Sequence, residues 1–100
     1  MTEKEYMDKL KEMILLYKQI KEMSIEINDA GFAAPIAMTV SPYSEEDKIH
    51  LHGNNLPDLD FECDADRAEN WDFHSAKFAG VTLFYLTHKA DINNEIGLTD

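Results

Sequence analysis

Phe78-Ala79-Gly80-Val81-Thr82-Leu83-Phe84-Tyr85-Leu86-Thr87-His88 carries apolar bulk at both odd and even positions. A half-buried strand alternates, because successive side chains point to opposite faces; a strand apolar on both faces belongs in the middle of a sheet or at a contact. The stretch is far shorter than the ~20 apolar residues that a membrane-spanning helix needs. It therefore predicts a central strand over about 78–88, and the rest of the chain must supply its neighbours.

Upstream, Ile36-Ala37-Met38-Thr39-Val40 follows Pro35, which cannot continue a helix, and alternates as a strand does. Lys48-Ile49-His50-Leu51-His52 alternates again, and Gly53-Asn54-Asn55 closes it with turn residues. The polar, proline-containing loop between them is short, so strands at 36–40 and 48–52 should be antiparallel neighbours. Asp58-Leu59-Asp60-Phe61-Glu62-Cys63 sets Leu59, Phe61 and Cys63 on one face against three carboxylates on the other. That predicts a half-buried strand over 58–63 at a sheet edge, where charge discourages further pairing. Asp64 to Asn70 reads as a loop or one helical turn, Trp71 and Phe73 return apolar bulk to the core, and residues 89–100 read as a frayed polar tail.

The N-terminal third has a different period. Thr2 and Glu5 form a capping box, each side chain satisfying the other's free backbone N–H, and Glu3 and Glu5 place negative charge where the helix dipole favours it. Tyr6, Leu10, Met13, Tyr17, Ile20 and Ile27 then recur at helical spacing on one face. Met7, Ile14, Leu16 and Met23 widen that stripe beyond what a single sheet need cover. Asn28-Asp29-Ala30-Gly31 is a stop signal. The prediction is α+β: one helix over about 2–30, packed across one face of a three- to four-stranded antiparallel sheet, in a single domain spanning 1–100.

A chain of 100 residues has room for one core. The high charge does not indicate disorder, because 44% hydrophobic content with 10% aromatics is enough to fold. Cys63 is the lone cysteine, so no internal disulfide forms. With no secretory signal and no apolar run of spanning length, a cytoplasmic compartment is expected.

Twenty acids face nine bases, for a net charge of −11, and Arg67 is the single arginine. The imbalance peaks between Leu56 and Phe73, where Asp58, Asp60, Glu62, Asp64, Asp66, Glu69 and Asp72 stand against Arg67 alone. Such a field repels nucleic acid and anionic membrane and attracts basic protein surfaces. The lysines lie mainly on the helix among glutamates, a solvated face and not a track for phosphates.

Chemical motifs are sparse. His50 and His52, two apart on a strand, share a face that Cys63 or His74 could approach, but zinc sites show paired ligands at short spacing twice over. The plainer reading leaves both histidines on the solvent side of a hairpin. Calcium loops need glycine at their sixth position; counting from Asp58 or Asp60 that position is Cys63 or Ala65. Cys63 among carboxylates is a poor thiolate and suits a small buried hydrophobe. No glycine-rich phosphate loop, Gly-x-Ser-x-Gly or His-Glu-x-x-His is present. No catalytic residue, cofactor or metal is expected.

The composition points to a non-enzymatic acidic protein-binding module, an inhibitor of a basic nucleic-acid-handling protein, acting through Asp58, Asp60, Glu62, Asp64, Asp66, Glu69 and Asp72. In an extended strand the first three carboxylates would repeat at about 6.6–7 Å, close to phosphate spacing, which would make the face a nucleic-acid mimic. Small acidic antagonists such as phage anti-CRISPR and anti-restriction proteins share this general character, an analogy of composition alone. The alternatives are a toxin-immunity protein, or a structural or accessory module that forms a homodimer through the N-terminal helix. A metal protein or enzyme using His50, His52 and Cys63 comes last.

Overall fold

The computed structural model describes residues 1–89, in which one helix precedes five strands: α1 (Glu3–Asp29), β1 (Ala34–Met38), β2 (Lys48–His52), β3 (Glu62–Asp64), β4 (Trp71–Phe78) and β5 (Val81–His88). The class is α+β, as its periodicities indicate.

Both ends of α1 are closed by local chemistry. The Thr2 hydroxyl accepts from the Glu5 backbone N–H at 3.1 Å while the Glu5 carboxylate reaches back to the Thr2 backbone, completing the capping box. At the other end Gly31 takes φ +89°, the Phe32 N–H bonds the Ile27 carbonyl at 3.1 Å, and the Gly31 N–H bonds that of Asn28 at 3.0 Å. This is a Schellman closure, and the left-handed position suits glycine because it has no Cβ to clash.

The sheet runs β1-β2-β5-β4-β3. β1 and β2 form the expected antiparallel hairpin, from Ala34 opposite His52 to Met38 opposite Ile49, with a register shift between Pro35 and Ala37. β4 and β5 pair antiparallel along their full length, and β3 pairs antiparallel with β4. β2 and β5 run parallel, Lys48 beside Thr82 and His50 beside Phe84.

The sheet is thus five-stranded and mixed, not three- to four-stranded and antiparallel. The difference begins at Ala79-Gly80, where both residues take positive φ, 52° and 81°. Two such residues make the tight turn whose twist matches a hairpin. The strand expected over 78–88 is therefore cut: Phe78 ends β4 and Val81 begins β5. The reversal sends β5 back along β4 and leaves its other edge for β2. The strand expected over 58–63 also shifts, because Leu59 N–H bonds the Pro57 carbonyl and Phe61 N–H bonds that of Leu59, each at 3.0 Å. These i to i−2 bonds fold the segment into tight turns, so only Glu62–Asp64 joins the ladder. The strand expected at 36–40 forms two residues earlier, at Ala34–Met38. Lys89, expected to begin a frayed tail, is a half-buried turn residue; the rest of that tail lies outside the described residues.

Little of this surface is deeply covered. Among the described residues only Ala33, Ala34, Leu51 and Thr82 are buried. Thr82 is the polar member and is fully bonded: its N–H meets the Asp47 carbonyl at 2.9 Å and its hydroxyl donates to the Glu46 carboxylate at 2.5 Å. α1 meets the sheet at β1 and has no buried residue of its own, so it flanks one edge and does not blanket a face.

Gly53 locks the start of β1 to the end of β2. Its φ is +142°, and a Cβ there would lie 2.8 Å from the Ala33 Cα, beside the Ala33 N–H bonded to the Asn55 carbonyl at 2.9 Å. Gly53→Ala should destabilise the fold by about 2 kcal/mol or more in urea titration, because neither strain nor contact is relieved by a side-chain rotation. Gly31→Ala, whose Cβ would meet nothing within 4 Å, should cost about 1 kcal/mol.

Candidate functional site

The acidic residues gather where the sheet ends. β3 is the outermost strand on the side opposite β1. Its register sets Glu62 beside Ser75, Cys63 beside His74 and Asp64 beside Phe73. All three β3 residues are exposed, as are Asp66 and Glu69 in the loop that returns to β4. That loop is shaped from within: the Asp66 N–H bonds Oδ1 of Asp64 at 3.1 Å, an Asx-type turn.

Arg67 and Lys89 make contacts within the fold, although Arg67 stays exposed, as does Lys77 on β4. The Arg67 guanidinium lies over the Phe73 ring, 4.2 Å from its centroid. The Lys89 ammonium donates to the carbonyls of Ala65 and Ala68 and lies 3.9 Å from the Asp72 carboxylate. Its backbone N–H also bonds the Asn70 carbonyl at 2.9 Å. The Lys89 charge is thereby spent on holding the loop. Asp58, Asp60, Glu62, Asp64, Asp66 and Glu69 are left exposed, while Asp72 is half-buried and paired.

Two expectations change here. Asp58 and Asp60 sit on the bent segment ahead of β3, so the even 6.6–7 Å repeat of an extended strand through Asp58, Asp60 and Glu62 does not form. Cys63, expected as a small buried hydrophobe, is exposed, because no second layer covers the edge strand that carries it. Phe61 does turn inward, its ring edge-on to Tyr85 at 4.9 Å.

The histidines belong to the sheet's aromatic rows. On one face His50 stacks on Phe84 at 4.6 Å, Phe84 stacks on Phe73 at 4.9 Å, and Arg67 closes the row over Phe73. On the other face His74 stacks on Tyr85 at 4.5 Å and bonds the Thr87 hydroxyl at 2.8 Å. His52 is on the solvent side as expected, but His50 is half-buried. Burial, and then the neighbouring charge of His52, hold the His50 imidazole below the ordinary histidine range. Among the described residues no three or more His, Cys, Asp or Glu side chains come close enough to hold a metal ion. No described helix is long and apolar enough to cross a membrane.

The loop brace and the aromatic rows were not visible in the sequence. Lys89 bonds backbone carbonyls, which carry no residue identity to search for. The rows join β2, β4 and β5, and only the parallel pairing of β2 with β5 sets His50 beside Phe84.

Two measurements follow. His50 binds a proton less readily folded than unfolded, so its contribution to stability is present above about pH 6.5 and is lost as pH falls through the lower folded value. His50→Phe should flatten that decline below about pH 6.5, whereas the lowered Glu46 carboxyl, held by the Thr82 hydroxyl, acts only below about 4.5. Lys89→Met should cost about 1–2 kcal/mol and raise amide exchange through residues 65–70.

No family model matches the chain, and neither a curated protein nor a solved structure matches it.

Proposed function

We propose that this chain is a non-enzymatic protein-binding module whose β3 edge engages a basic, nucleic-acid-handling protein and inhibits it by occupying its cationic surface. One observation carries the reading. Six exposed carboxylates share a single sheet edge and its approach, while Lys89 is spent on bracing the loop and Arg67 is the one cation between Leu56 and Phe73.

The physics is additive. A single exposed ion pair contributes about 0.2–1 kcal/mol, too little for a complex, but several on one rigid edge act together and steer encounter from a distance. The strand and loop are pre-shaped by the β3–β4 ladder and the Lys89 brace, so little chain ordering is required on docking. The charges are arranged along an edge and a loop and not as an evenly spaced strand, so the partner surface is a cationic patch and not a narrow groove read phosphate by phosphate. Edge acids also keep β3 from adding a foreign strand, which leaves side-chain electrostatics as the binding force.

The test begins with capture of the partner from the native host at low salt, followed by affinity measurements on the purified pair. Affinity should fall steeply as salt rises and the Debye length drops to ~8 Å or below, and nucleic acid should compete. Joint reversal of Glu62, Asp64 and Asp66 to lysine should lower affinity about 10-fold or more. Reversal of Glu3, Glu12 and Glu22 on α1 alters net charge equally and should cost far less. Equal losses, or a partner that binds no nucleic acid, would refute the proposal.

A further inference from the structure

We propose that α1 and β1 together form a contact surface for a second copy of this chain, whose own α1 lies in the groove between them. This inference concerns the sheet edge opposite the acidic one and stands independently of the function proposed above.

The groove has a volume of about 740 Å³ and is lined from α1 by residues such as Leu10, Met13 and Tyr17 and from β1 by Pro35, Ile36 and Met38. Its walls are open to solvent in the single chain: Met13 is 55% exposed, Tyr17 59% and Ile36 59%. Contiguous apolar surface of this kind on a soluble chain marks a contact that has yet to be made.

The helix itself states what that contact is. Tyr6, Leu10, Met13, Tyr17, Ile20, Ser24 and Ile27 recur in steps of four and three, a period of 3.5 held across three heptads. A strand or a flat sheet does not require that period; a partner helix does, because it keeps one seam facing another helix along its length. The positions flanking the seam include Met7 and Ile14 on one side and Leu16 and Met23 on the other, so α1 is apolar toward two neighbours. β1 accounts for one. Charged residues occupy much of the remaining face, where Lys4, Asp8, Lys11, Glu12, Lys18 and Glu22 lie.

Shape and charge point to a copy of the same chain. Met13, Leu16 and Tyr17 on α1 and Ile36, Met38 and Val40 on or just past β1 line the groove together, each 39–81% exposed. One helix laid between the two walls covers both, and α1 itself carries the apolar face that such an occupant needs. The charge of −11 does not oppose it: residues 2–29 hold five lysines against seven acids, and the acidic concentration sits at the far end of the sheet. Across a two-fold axis the same patch serves both copies, each α1 filling the other's groove.

Sedimentation of the full chain at 10–100 µM, in the range of about 1 µM to 1 mM over which modest interfaces dissociate, reads the outcome directly. The wild type should be a dimer. Met13→Glu with Tyr17→Glu should raise the dissociation constant about 100-fold or more with the circular dichroism of the sheet retained. Leu15→Glu, on the charged side of α1 and 62% exposed, should leave the dimer intact. If the double variant loses helix, Met13→Gln and Tyr17→Gln made singly give the same reading with less disturbance. A monomeric wild type overturns the proposal, leaving the groove to a different protein or to another segment of this chain. So does a dimer that ignores Met13 and Tyr17, or one that Leu15→Glu disrupts equally.

Discussion

Everything in this molecule hangs on the two-sided pairing of β5. One edge of that strand is bonded to β4 by a local hairpin, the other to β2 across more than thirty residues of sequence. Without the second contact the chain would be two separate hairpins, one carrying the helix and the other the acidic strand. Thr82 anchors the join. It is buried and takes its backbone partner from Asp47 and its hydroxyl partner from Glu46, both in the loop entering β2. A buried hydroxyl with no acceptor would cost about 1–3 kcal/mol, so the loop before β2 must arrive in register for the sheet to close.

That join separates two surfaces of opposite character. At one end α1 and β1 present an apolar groove; at the other β3 and its loop present carboxylates. Three strands lie between them, roughly 19 Å centre to centre at the usual strand spacing. The protein has little interior, and most of its distinctive chemistry lies at these two margins. Between them the aromatic rows stiffen the sheet on both faces, His50–Phe84–Phe73 on one and Phe61–Tyr85–His74 on the other.

How much of this was legible depended on how local the governing interaction is. The capping box at Thr2 and Glu5, the glycine stop after Asp29 and the strand at Lys48–His52 each rest on residues within a few positions, and each formed as read, save that His50 is half-buried and does not face solvent. The strand over 78–88 misled because apolar density was weighed above Ala79-Gly80, and a turn of two positive-φ residues overrides hydrophobicity wherever it occurs. Perfect alternation over 58–63 misled in the converse way: the pattern suits a strand, yet Pro57 begins a pair of tight turns that no period-two count detects. The parallel pairing of β2 with β5 was beyond reach from pattern alone, since either edge of β5 offers the same backbone groups. At the candidate site the clustering of carboxylates was plain in the sequence. The folding of Lys89 onto the loop carbonyls, which takes one cation out of the local charge balance, was not.

The parallel register also dictates an order of events in time. The β4–β5 hairpin closes through a two-residue turn and can form in about 1–10 µs once both strands exist. β2 must wait for it, because its neighbour lies at residues 82–84, and parallel pairing over a long loop is slow to find. During synthesis the chain emerges from its N-terminus, so α1, β1 and β2 are complete long before β5 leaves the ribosome. Throughout that interval the free edge of β2 stands unpaired on a nascent chain, beside an apolar α1 stripe that the finished sheet leaves open too, which makes the first half of this protein the part most in need of a chaperone's shelter.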